Sequence, residues 1–183
     1  VDRIGEGSRI VEMAKEIIGK EIEYVKKSDR YEEIEIQFMG GEPFLNFSLV
    51  RDIVEWMREE QHEVPYVASC STNGTLVTES VKKWLFENRK LFVPGLSYDG
   101  TADMQRVNRQ TGSAPIDIEF FVRTWPNETI HVTISRETLP LLSKGVIDLH
   151  LKGASVDAAL AHGIEWKEDD VTSFSRELSK LAG

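Results

Sequence analysis

The chain has 183 residues, enough for one domain with a real core, and its 40% hydrophobic and 29% charged residues are those of a soluble globular protein. A net charge of −9 argues against nonspecific binding to nucleic acid or to an anionic membrane. No apolar run approaches the ~18 residues of a membrane span, and the single cysteine, Cys70, excludes a disulfide framework, which fits a reducing cytoplasm.

Residues 1–7 have no charged-then-apolar signal layout and no starting Met, and read as a cut end. Residues 8–27 carry Ile10, Ala14, Ile17, Ile18, Ile22 and Val25 at helical spacing, with Ser8 expected as the N-cap. In residues 34–39, Ile34, Ile36 and Phe38 alternate with Glu35, Gln37 and Met39, which predicts a strand. That strand runs into Gly40-Gly41-Glu42-Pro43. Two glycines leave bare backbone at its carboxyl end, Glu42 adds a carboxylate, and Pro43 stops the ladder. An amphipathic helix is expected over 46–61, with Leu49, Val50, Ile53, Val54 and Met57 inward.

A strand at 66–72 ends at the turn signal Asn73-Gly74, and a helix follows over 78–88 with Val81, Trp84 and Leu85 inward. Residues 91–98 form a strand made irregular by Pro94 and Gly95, ending at Asp99-Gly100. The polar segment 101–114 reads as a long loop. A helix at 116–122, a strand at 129–134 and a helix at 138–152 stopped by Gly153 come next. A strand at 155–160 and a helix at 171–181 close the chain, with Asp169 and Asp170 suited to the last N-terminus.

Helix followed by five β-α pairs predicts an α/β fold: a parallel sheet of about five strands with helices outside. Right-handed crossovers then leave a doubly wound sheet or part of a (β/α) barrel, since a closed eight-stranded barrel takes ~250 residues. Sites in such folds sit at the carboxyl ends of strands, where Gly40 and its neighbours fall.

Phe38-Met39-Gly40-Gly41-Glu42-Pro43 resembles the GGEP motif of the radical S-adenosylmethionine (SAM) enzymes. In that family the loop holds the amino group of SAM, an ammonium that needs carbonyl and carboxylate acceptors. Thr72-Asn73-Gly74 is similar to the TNG of the anaerobic sulfatase-maturase-like, SPASM-type group. Ser97-Tyr98-Asp99-Gly100, followed by Arg106 and Arg109, resembles its S-x-D-G…R segment, which contacts the ribose and carboxylate of SAM. Relatives carry Pro after that Gly and His-Asp before the Arg. Here Thr101-Ala102-Asp103-Met104-Gln105-Arg106 departs from this, so which Arg contacts SAM stays open.

The resemblance covers roughly residues 8–181. It implies one partial radical SAM core domain over 1–183, an incomplete (β/α) barrel, with Gly40, Gly41, Glu42, Pro43, Ser97, Asp99 and Arg109 as cofactor-binding residues. For the parent protein it implies SAM, a [4Fe-4S] cluster, reductive cleavage of SAM to a 5′-deoxyadenosyl radical, and a peptide or protein substrate. No catalytic residue is assigned. The family's C-x3-C-x2-C cluster loop and first strand are absent, so the chain reads as an interior fragment. The fragment alone is expected to hold no cofactor and no metal, to be inactive, and to keep Cys70 as a buried side chain.

Blander readings stand beside these. Gly40-Gly41 reads as a tight turn, Thr72-Asn73-Gly74 as a turn with a left-handed glycine, and Asp99-Gly100 as a turn with solvated arginines. His162 reads as a solvated loop residue, and Trp56, Trp84, Trp125 and Trp166 as packing. The rival functions are a non-enzymatic α/β adaptor or degenerate binding domain, and a nucleotide-binding domain. The lack of a G-x4-G-K-[ST] loop counts against the latter.

Overall fold

The computed structural model describes residues 3–60, 63–109 and 115–182, with side chains from residue 9 onward. Contacts group the chain into two compact units, Val1–Ser71 with Lys83–Pro94, and Thr72–Lys82 with Gly95–Gly183.

The first unit is built on a three-stranded sheet in the order β1 (Ile34–Phe38), β2 (Tyr66–Thr72), β3 (Phe92–Leu96). β1 and β2 pair in parallel, from Ile34 opposite Tyr66 to Phe38 opposite Cys70. Helices α1 (Arg3–Lys26) and α2 (Phe47–Glu60) cover β1. Ile18, Ile22 and Val25 of α1 meet Ile53 and Met57 of α2, and Ile34, Ile36 and Phe38 pack against them. Each such side chain gains roughly 1.5–3 kcal/mol from burial, which is why the period-2 strand and period-3.6 helices turn these faces together. The last residues of α3 (Glu79–Glu87) belong here too. Trp84 stacks edge-on against Phe47 and Phe92 at centroid distances of 5.2 and 5.6 Å, and its Nε1 donates to Glu55 at 2.8 Å.

The second unit contains β4 (Thr129–Ile134) and β5 (Ser155–Leu160), parallel and paired residue for residue from Thr129 with Ser155 to Ile134 with Leu160. Around them lie α4 (Ala102–Arg109), α5 (Ile118–Thr124), α6 (Leu142–Leu151) and α7 (Glu168–Leu181). Ile130, Val132, Ile134, Leu139, Leu142 and Leu149 are buried. α7 is pinned to α6 by Glu177, which is 1% exposed and accepts from the Ser143 backbone and hydroxyl. Asp117 caps α5 by accepting from Phe120 N, and also accepts from Lys82.

The α/β class, the parallel pairing and the strand positions agree with the sequence reading; the single five-stranded sheet is corrected. Three strands form one sheet and two another, with one isolated parallel bridge between Ser97 and His131. The bridge lies just past the end of β3. Ser97 N donates to Thr72 O at 2.8 Å, and the next amide, Tyr98 N, donates to His131 O at 3.0 Å. The two neighbouring amides point to opposite sides, as alternation along an extended chain requires.

Three helix expectations also change. α1 starts at Arg3, so Ser8 lies within the helix and not at its N-cap. α7 starts at Glu168, where Asp170 turns back to accept from Lys167 N at 2.7 Å. Residues 102–109 of the expected loop form α4, while 110–114 lie outside the described residues. Thr101 Oγ1 accepts from Met104 N at the start of α4, Asp103 sits in its first turn, and Arg106 and Arg109 end it. Its one buried apolar side chain is Met104, 0% exposed, with Val107 half exposed, so no hydrophobic period marks it in the sequence.

Candidate functional site

In the first unit, β1 ends at Phe38 and hands over to an exposed loop containing Gly40 and Gly41. Neither glycine is among the positive-φ residues, and a Cβ on either would meet nothing within 4 Å. A tight turn that needs glycine for its dihedrals is therefore not what places them there. Glu42 is extended (φ −152°, ψ 104°), and its carboxylate accepts from Phe44 N at 3.2 Å, capping the short 3-10 turn Pro43–Asn46. Phe44, 4% exposed, anchors that turn, so Pro43 and Phe44 fix how the loop leaves the strand. Burial, then the Glu42 carboxylate nearby, pushes the Cys70 thiol up to about 12. Beside the loop lies an apolar cavity of about 480 Å³, with Ile10, Ile17, Phe38, Gly40 and Pro43 in its lining.

In the second unit, the structure brings Asp99 and Arg109 together just after Ser97. Asp99 is 0% exposed. Its Oδ2 accepts from Arg109 Nε, and its Oδ1 from Arg109 Nη2, both at 2.9 Å. Oδ1 also accepts from Thr133 N at 2.8 Å, and Asp99 N donates to Gln105 Oε1 at 2.9 Å. Arg109 Nη2 reaches Thr133 Oγ1 at 3.2 Å. Its Nη1 has no partner among the described residues, and the side chain is 25% exposed. Arg106 differs: it pairs with Asp103 on the surface, both 70% exposed.

Gln105 and Asn108 are residues of this cluster that the sequence reading does not single out. Gln105 and Arg109 are spaced i, i+4, one face of α4, so the signal was present once 102–109 is taken as a helix. Asn108 Nδ2 donates to Thr133 O at 2.7 Å. Gln105 Nε2 and Asn108 Oδ1 are buried without a partner among the described residues.

Thr72-Asn73-Gly74 is a turn held from within. Gly74 has φ +76°, Thr72 Oγ1 accepts from Gly74 N, and Asn73 Oδ1 accepts from Thr75 N. A Cβ on Gly74 would stand 2.9 Å from both Ile116 and Leu96 side chains. His162 is exposed, and Trp84 and Trp125 are buried among aromatic rings.

The donor set does not fit an iron–sulfur cluster. One cysteine stands where three thiolates are needed, Cys70 is 3% exposed, and among the described residues no three His, Cys, Asp or Glu side chains gather to hold a metal. Among the same residues, no helix is long and apolar enough to cross a membrane.

Residues 5–112 match the family described as 4Fe-4S single cluster domain. A cysteine-type anaerobic sulfatase-maturating enzyme of Clostridium perfringens (strain 13) is 37% identical over 75 residues, 40% of this chain and 20% of that protein. An uncharacterized protein of Methanocaldococcus jannaschii is 35% identical over 80 residues, 43% of this chain and 26% of that one. The solved structure of native anSMEcpe with bound AdoMet superposes with a TM-score of 0.65 at 23% identity, over 84% of this chain and 47% of that chain. The same enzyme with AdoMet and the Cp18Cys peptide gives a TM-score of 0.64 at 23% identity, over 86% and 48%. These structures share the fold, and the chain spans about half of their length. With the family match running over more than half of its residues, the chain belongs to the 4Fe-4S single cluster domain family.

Proposed function

We propose that the chain is an interior part of a radical SAM oxidoreductase, a partial (β/α) barrel core domain over residues 1–183, and that it holds SAM for the modification of a peptide or protein. The carbonyls around Gly40 and Gly41 and the Glu42 carboxylate are acceptors suited to the SAM ammonium. Pro43 fixes their approach. Arg109, through the Nη1 that has no partner among the described residues, suits the SAM carboxylate, and Ser97 precedes the same turn. Within each of the two sheets the strands succeed one another in chain order, as neighbours in a (β/α) barrel do. The peptide substrate is supported by the solved relative with a bound peptide.

The observation that carries this reading is the pair Gly40 and Gly41, glycines that neither dihedral nor packing requires, leaving room for a ligand to reach the backbone. Iron–sulfur chemistry needs ligands beyond Cys70, so this chain's own contribution is to bind and orient SAM. Without a cluster to anchor it, SAM should bind with a dissociation constant near ~1 mM, worth ~4 kcal/mol. Titration of the ¹⁵N-labelled chain with SAM tests this. Shifts of the Gly40 and Gly41 amides test the loop and shifts of the Arg109 side chain test the arginine; shifts confined to other residues would sink both. Micromolar binding would sink the fragment reading.

A second reading, a degenerate member that binds without turnover, is favoured by Cys70 being the chain's one cysteine. Coding sequence upstream decides between the two: a C-x3-C-x2-C supports the enzyme.

A further inference from the structure

We infer that Asp99 is a positioning residue: together with Thr133, it holds Arg109 in the one orientation that presents Nη1 to a ligand carboxylate. This rests on the reading of Arg109 given above, and it gives Asp99 a role that involves no contact with SAM.

Asp99 has nothing left to offer a ligand. It is 0% exposed, and its oxygens accept from Arg109 Nε, Arg109 Nη2 and Thr133 N. The pairing is side-on, through Nε and Nη2, and a guanidinium is planar, so the two bonds fix the whole plane and leave Nη1 as the corner with no partner among the described residues. A third bond, from Nη2 to Thr133 Oγ1, removes the remaining rotation. Asp99 is itself held by Thr133 N on β4 and by Gln105 Oε1 on α4, the helix that carries Arg109. One buried carboxylate thus ties the turn after β3, the helix and strand β4 to one guanidinium. A solvated arginine would lose rotamer freedom on gripping its ligand; here that ordering is complete before the ligand arrives.

The test compares two ligands that differ only in the carboxylate, SAM and decarboxylated SAM, by NMR titration of the full 183-residue chain. Arg109 in position gives SAM a preference. Asp99→Asn should lower that preference about tenfold, by weakening binding of SAM and leaving decarboxylated SAM unchanged. A merely structural defect would weaken both alike and leave the ratio where it was; that outcome overturns the inference. Arg109→Lys, which keeps the charge beside Asp99 and gives up the fork, separates the two claims. If it leaves the preference intact, the reading of Arg109 fails and the inference with it. If it abolishes the preference while Asp99→Asn does not, only the positioning role fails. Should Asp99→Asn not fold, Thr133→Val decides. It removes the Nη2 contact and keeps the backbone bond to Asp99, and it should lower the same preference about threefold; an unchanged ratio overturns the inference.

Discussion

Gly100 and Gly145 meet backbone to backbone: a Cβ on Gly100 would stand 2.6 Å from the Cα of Gly145. Gly100 also holds φ +93°, where side chains are strained. Both constraints act on one residue, so Gly100→Ala should cost about 2–5 kcal/mol. Gly145→Ala should cost less, about 1–2 kcal/mol, because its Cβ would meet the flexible Met104 side chain at 3.0 Å and the Gly100 Cα only at 3.2 Å, against 2.6 Å in the reverse case. Thermal unfolding of the two variants checks the order, and equal melts would show that the approach is loose.

Gly41 gives the opposite expectation. Its φ is not positive and a Cβ there meets open space, so Gly41→Ala should leave stability unchanged or raise it by about 0.4–1 kcal/mol. The same methyl should weaken SAM at the loop. Opposite signs in the melt and in the titration identify backbone reserved for a ligand; a destabilised variant would restore the turn reading.

Acid should loosen the second unit through two carboxylates. Burial opposes the ionised Glu177, but bonds from Lys180 and Ser143 prevail and hold it below its ordinary 4.5. The Lys82 hydrogen bond, helped by Phe120 N, holds Asp117 below 3.8. The folded chain therefore binds these protons less readily than the unfolded one. The stabilisation is full above the ordinary values and fades as pH falls through the lowered ones, below about 4.5. Glu177→Gln should cost about 1.5–3 kcal/mol at neutral pH and flatten the acid limb of a denaturation series. Asp117→Asn, at a half-exposed pair, should cost about 1 kcal/mol or less.

Cys70 should be inert in the folded chain. Buried at 3% exposure and pushed up to about 12, it offers almost no thiolate at neutral pH, so Ellman's reagent should titrate it only after denaturation. Anaerobic reconstitution with iron and sulfide should leave the 183-residue chain without a stoichiometric cluster. About four irons per chain with the brown absorbance of a cluster would refute this.

By itself the sequence determined the elements whose signal is periodic. Tyr66–Thr72, Thr129–Ile134 and Ser155–Leu160 are strands where alternation and β-branched residues place them, and Val50, Ile53, Val54 and Met57 face inward on α2 as their spacing requires. The resemblance carried by Gly40-Gly41-Glu42-Pro43 is legible there as well, because those residues are contiguous. Tertiary structure alone decided the rest. Helix α4 carries one buried apolar side chain, so its formation depends on Thr101 capping it and on Met104 finding a core. Arg106 and Arg109 are alike in sequence; Arg109 is set apart by a buried carboxylate ten residues earlier and a strand that begins twenty residues later. Periodicity is a property of neighbours along the chain, and it survives in the sequence. The partner of a charged group is set by what burial brings within 3 Å of it, and that is fixed only when the chain has folded.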